Sequence, residues 1–129
     1  MRQGLWPDAP TEYLNYDLDD LLNDADAAVF VASRADGRLV AFIETSLRDF
    51  AEGCETSPVG YIEAWYVDPI VRGQKLGREM MQAAEQWARE KGMTEMGSDT
   101  WLDNEASIQA HLKMGYYEAE RLVHFAKRL

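Results

Sequence analysis

A chain of 129 residues with 47% hydrophobic content can bury one sizeable core, and residues 1–129 read as a single domain. Its 23 acidic against 13 basic side chains leave a net charge of −10, which disfavours nucleic acid and anionic membranes and would attract a small polycation, although the same charge also serves plain solubility. No run approaches the roughly 18 apolar residues of a membrane helix and residues 1–7 lack a secretion signal's apolar core, while the lone Cys54 has no disulfide partner and no metal-ligand spacing with His111 or His124, so a cytoplasmic protein without a metal is expected.

Thr11 offers an N-cap, and Leu14, Leu18, Leu21 and Leu22 follow at helical spacing, predicting an acidic amphipathic helix over 11–24. Residues 28–33 and 39–46 are apolar and β-branched around the turn sequence Ala35-Asp36-Gly37-Arg38, which predicts a hairpin. A polar loop over 48–58 leads to a long strand over 59–67, ended by Asp68-Pro69. Leu76, Met80, Met81, Ala84, Trp87 and Ala88 share one helical face, predicting a helix over 75–91 stopped by Gly92. A short strand over 94–99 follows, then a helix over 104–114 closed by Gly115. Residues 116–127 read as two short strands or one bent one. The pattern α, β, β, β, α, β, α, β predicts an α/β fold, a mixed sheet with helices on both faces.

The chemistry-bearing pattern is the strand over 59–67, then Arg72-Gly73-Gln74-Lys75-Leu76-Gly77-Arg78 running into a helix. A glycine-bearing turn at a helix start aims backbone N–H groups outward, and the helix dipole adds partial positive charge, so the segment can cradle a pyrophosphate. It lacks the Gly-Lys-Ser/Thr of a Walker loop and the Gly-x-Gly-x-x-Gly of a dinucleotide fingerprint. It resembles the acetyl-CoA pyrophosphate loop of the GCN5-related N-acetyltransferases, Arg/Gln-x-x-Gly-x-Gly/Ala after a strand ending near Val-x-Pro. Lys75 stands where the first motif glycine belongs; if that position needs positive φ, lysine costs about 1 kcal/mol relative to glycine, partly offset by its charge near phosphates.

Within that superfamily, four segments look like the aminoglycoside 6′-N-acetyltransferases: Leu5-Trp6-Pro7-Asp8, then Glu55-Thr56-Ser57-Pro58-Val59-Gly60-Tyr61-Ile62-Glu63, then Gly97-Ser98-Asp99-Thr100, and Gly115-Tyr116-Tyr117-Glu118-Ala119-Glu120-Arg121. Together they span almost the whole chain, although such enzymes normally carry a first strand and the start of a helix ahead of Leu-Trp-Pro. The resemblance implies the GCN5-related fold, a mostly antiparallel mixed sheet, acetyl-CoA as acetyl donor, an aminoglycoside acceptor and a homodimer.

Residue by residue, it implies that Glu63 and Asp99 contact the polycation and that one of them takes the proton of the attacking amine. Trp6, Phe50 and Glu120 fall at further substrate positions, with Phe50 replacing the usual tyrosine. Trp6 could instead anchor the core, and Glu120 could be a plain surface glutamate. Backbone groups of Trp65, Tyr66 and Val67 would pair with the pantetheine arm, a strand N–H near Tyr66 would stabilise the oxyanion, and residues 73–78 would hold the pyrophosphate, joined by Arg72. Asn104 would touch the cofactor or simply cap its helix. His111 stands where many members place a tyrosine that protonates the leaving thiolate; it could do that work or be a packed helix histidine. Other readings remain: an acetyltransferase for a polyamine or a protein N-terminus, or an acyl-CoA-binding domain without turnover.

Overall fold

The computed structural model describes residues 17–23, 25–71 and 75–129. They divide between two compact units, Met1–Ser98 and Asp99–Leu129. The first unit is built on a five-stranded sheet: β1 (Asp17–Asn23), β2 (Ala27–Ser33), β3 (Leu39–Arg48), β4 (Val59–Val67) and β5 (Met96–Ser98), in that spatial order. The first four strands are antiparallel neighbours and β5 joins β4 in parallel, so the expected mostly antiparallel mixed sheet is present.

The β2–β3 hairpin forms where apolar, β-branched runs flank the expected turn. Gly37 takes φ 89°, a conformation that costs glycine no Cβ clash, and the Asp36 carboxylate accepts from the Arg38 N–H at 3.0 Å. Among the described residues a one-turn 3-10 helix (Pro69–Val71) and one α-helix lie in the long connection that parallel β4 and β5 need. This helix, α1 (Leu76–Glu90), lays Leu76, Met80, Met81, Ala84, Trp87 and Ala88 against the sheet, all of them buried and all on the face expected from their spacing. With Val40, Ile43, Thr45, Val59 and Val71 they make the core. The Gly60 position shows how closely α1 and β5 approach β4: a Cβ there would lie 2.5 Å from the Met96 sulfur and 2.9 Å from the Ala88 methyl.

Two expectations are corrected. Residues 17–23 form a strand rather than part of a helix over 11–24; residues 11–16 and 24 lie outside the described residues. Leucines four apart satisfy both the helical and the alternating period, and the antiparallel ladder with β2, Asp17 opposite Ser33 to Asn23 opposite Ala28, decides between them. Residues 116–127 form neither one strand nor two. Leu122, Val123 and Phe125 are exposed there at 51%, 65% and 92%: alternation makes a strand only where a neighbour supplies a ladder. The second unit does contain the expected helix, α2 (Glu105–Lys113), capped by Asn104 and closed by Gly115 at φ 93°.

Candidate active site

Glu63 sits at an irregularity in β4. The β3–β4 register runs Glu44 opposite Ala64 and then Thr45 opposite Ile62, so Glu63 is the extra residue of a bulge. Bulges re-aim side chains, and this one is pinned from below by the buried Thr45 hydroxyl, which donates to the Tyr61 carbonyl at 2.9 Å. The Glu63 carboxylate is held by three hydrogen bonds from β3. Arg48 Nη2 donates to Oε1 at 2.6 Å, Arg48 Nε to Oε2 at 2.8 Å and Ser46 Oγ to Oε2 at 2.6 Å. The Arg48 guanidinium lies 3.6 Å from the centroid of the Tyr61 ring.

The Arg48 hydrogen bonds hold the Glu63 carboxyl below its ordinary range, against the opposing effect of partial burial and with help from Ser46. The group is therefore a fixed anion at neutral pH. It suits the holding of a cation better than the acceptance of a proton.

The other end of β4 has a different character. β5 pairs with β4 only from Gly60 opposite Met96 to Ile62 opposite Ser98, whereas β4 continues to Val67. The strand thus outruns its parallel neighbour over the residues expected to meet the pantetheine arm, Trp65, Tyr66 and Val67. Tyr66 packs across the ladder on Phe42, ring centroids 5.9 Å apart. Trp65 and Val67 face the start of α1 at Gly77, where a Cβ would stand 3.4 Å from the indole and 3.5 Å from the valine methyl. A small residue there lets the helix start come down onto β4.

Lys75, the N-cap of α1, adopts φ 66° and ψ 8°. It is the one non-glycine residue with positive φ among the described residues, so the strain anticipated for lysine at the motif-glycine position is present. Its side chain and that of Arg78 are exposed, whereas Leu76 is 1% exposed and belongs to the core; only the Leu76 backbone could serve a phosphate. Arg72, Gly73 and Gln74 lie outside the described residues, as does Trp6.

Phe50 lies just beyond β3 and is 66% exposed. The loop it opens is tied down by Glu95, whose carboxylate accepts from the backbone N–H groups of Glu55 and Thr56 at 2.8 and 2.6 Å and from the Thr56 hydroxyl at 2.5 Å. Burial, then the negative charges of Glu95 and Glu52, push the Cys54 thiol up, which makes it a poor nucleophile.

In the second unit Asp99 and Glu120 are exposed. Asn104 does cap α2: its Oδ1 accepts from the Ser107 N–H at 3.1 Å, which leaves its NH2 group as a donor. His111 Nδ1 lies 2.7 Å from the Ser107 carbonyl oxygen, and its ring meets Tyr116 edge-on at 5.6 Å. A carbonyl only accepts, so Nδ1 carries a hydrogen; delivering a proton from Nε2 would require the imidazolium form. No group of metal-ligating side chains occurs among the described residues, and no helix among them is long and apolar enough to cross a membrane.

Sequence reasoning singled out Glu63 but missed its partners, Arg48, Ser46 and Tyr61, as well as the Glu95 tether. No local motif marks Arg48 or Ser46, because they meet Glu63 only through the β3–β4 register, and Tyr61 supports Glu63 only by packing on Arg48.

A mostly antiparallel mixed sheet whose β4 outruns β5 beside the start of α1 frames the site. The acetyltransferase (GNAT) family model matches residues 1–116, and the chain belongs to that family. It is 43% identical over 128 residues to an aminoglycoside N(6')-acetyltransferase type 1 of Stenotrophomonas maltophilia, covering 97% of this chain and 81% of that one. The apo structure of aminoglycoside antibiotic 6'-N-acetyltransferase AAC(6')-IG from Acinetobacter haemolyticus matches with a TM-score of 0.74 and 36% identity, over 82% of this chain and 73% of that one. AAC(6')-Iy in complex with the bisubstrate analog CoA-S-monomethyl-acetylneamine matches with a TM-score of 0.74 and 34% identity, over 81% and 71% of the two chains.

Proposed function

We propose that this protein transfers the acetyl group of acetyl-CoA to the 6′-amino group of aminoglycoside antibiotics, and so confers resistance to them. The observation that carries this reading is the construction of β4: its bulge holds an ionised carboxylate, Glu63, directly ahead of the segment that outruns β5. One strand thereby offers an anchor for an ammonium group and a backbone edge to which a pantetheine arm could add like a further strand. The family membership and the high identity to named aminoglycoside acetyltransferases support the choice of acceptor.

In the proposed reaction the 6′-ammonium first loses a proton, to Asp99 or through water, while Glu63 holds the polycation. The free amine attacks the thioester carbonyl carbon, and a strand N–H near Tyr66 stabilises the oxyanion. The C–S bond breaks, the nitrogen gives up its second proton and the thiolate takes one, from His111 in its imidazolium form or from solvent. The products are the amide, CoA thiol and one released proton. Backbone groups at residues 73–78, with Arg72 and the Lys75 charge, would receive the pyrophosphate, and the Asn104 amide would donate to the cofactor. Trp6, Phe50 and Glu120 would complete the acceptor site. We further propose one acetyltransferase domain spanning the chain, located in the cytoplasm and acting as a homodimer; the exposed Leu122, Val123 and Phe125 support burial of apolar surface by a second copy.

The test is thiol release from acetyl-CoA against a panel of aminoglycosides, with product mass measured. Acetylated kanamycin-type compounds are expected. An acetylated polyamine or peptide N-terminus without an acetylated aminoglycoside would sink the acceptor assignment. Calorimetric CoA binding with no turnover of any amine would sink the enzyme assignment.

A further inference from the structure

A carboxylate offers about four lone-pair positions. At Glu63, Arg48 Nη2 occupies one on Oε1, while Arg48 Nε and Ser46 Oγ occupy the two on Oε2. Among the described residues this leaves one acceptor position, on Oε1. A guanidinium delivers two parallel N–H groups in a rigid plane, which fixes both the distance and the rotation of the carboxylate it grips; an ammonium on a flexible stem cannot. The guanidinium is itself fixed, because it lies on the Tyr61 ring at 3.6 Å, and Tyr61 is 7% exposed. The chain of support therefore runs from a buried ring through Arg48 to a carboxylate whose side chain is 31% exposed.

We infer that Arg48 is a positioning residue for the acetyl acceptor: gripping both oxygens of Glu63, it presents the single open acceptor position of that carboxylate to an ammonium group of the substrate. The inference rests on the reading of Glu63 as a substrate contact. Arg48 touches neither substrate nor cofactor in this account and acts only through Glu63. The paired carboxylate acts as a directional acceptor, so it selects an amine by where the ammonium stands as well as by its charge.

Steady-state kinetics of R48Q, R48K, E63Q and the double variant R48Q/E63Q test this. R48Q is expected to raise the aminoglycoside KM roughly tenfold, the usual scale for loss of a well-placed charged hydrogen bond, with kcat within about threefold of wild type. The acetyl-CoA KM should stay unchanged, which also reports an intact fold. R48K keeps the charge but not the fork, and should fail to restore the acceptor KM. In the E63Q background R48Q should add no further loss. The inference is overturned if R48Q leaves the acceptor KM unchanged or lowers it, which would make Arg48 a bystander or a competitor, if R48K is wild type, or if the R48Q loss persists in full without Glu63. An E63Q variant with wild-type acceptor KM would remove the Glu63 reading itself, a result separable from the failure of Arg48 alone.

Discussion

Residues 59–63 and 64–67 belong to one strand, yet their neighbours differ in kind. The first part runs between β3 and β5 and ends in a carboxylate held by three side-chain hydrogen bonds. The second passes beyond the β5 ladder and meets the start of α1 at Gly77. On the proposed reading the first part acts through side chains, so single substitutions should change which amine is accepted. On the same reading the second acts through backbone direction and space, so the sensitive positions are those that set how closely α1 approaches.

Breaking the first part should have the largest effect. E63Q keeps the shape of the carboxylate and removes its charge, and is expected to lower kcat/KM for aminoglycosides by about 10- to 100-fold, the loss of a charged hydrogen bond, with the acetyl-CoA KM little changed. A uniform loss toward both substrates would erase the contrast. Next comes Gly60→Ala, at the start of β4, where α1 and β5 pack closely on the strand. The added methyl would collide with the Met96 sulfur and the Ala88 side chain, and urea unfolding should show a destabilisation of about 1–3 kcal/mol.

Lys75→Gly sharpens the contrast on the second part. Relief of the left-handed backbone at Lys75 should raise stability by about 1 kcal/mol in thermal or urea unfolding. Loss of its charge should raise the acetyl-CoA KM roughly threefold, the scale of one exposed charge near a helix start. A variant that is more stable and binds cofactor equally well would show that the charge does not serve the phosphates.

The smallest effect concerns pH. Arg48 holds the Glu63 carboxyl below its ordinary value, so the folded pKa lies below the unfolded value of about 4.3. The linked stability is fully present above that unfolded value and is lost as pH falls toward the folded pKa. R48Q should shrink that acid-linked loss in a titration of stability, because the folded pKa then returns toward the unfolded value, whereas a profile unchanged by R48Q would mean that the pair contributes nothing measurable in solution.

Local chemistry alone settled much of this protein. The helix of residues 76–90, its buried face and the strain at Lys75 follow from spacing and from one missing glycine, because a helix satisfies its own hydrogen bonds within a short window of sequence. Glu63 stood out only through the resemblance of residues 55–63 to the aminoglycoside acetyltransferases, whereas Gly37, Gly92 and Gly115 mark chain reversals where positive φ is needed. Tertiary structure decided the rest. Residues 17–23 became a strand because β2 offers them a ladder, and residues 116–127 remain without one because no described strand pairs with them. Strand identity is a property of two segments, and one segment's pattern cannot contain it. For the same reason, the grip of Arg48 and Ser46 on Glu63 was invisible in a sequence where Arg48 and Glu63 lie 15 positions apart, since a bulge and a strand register bring them together.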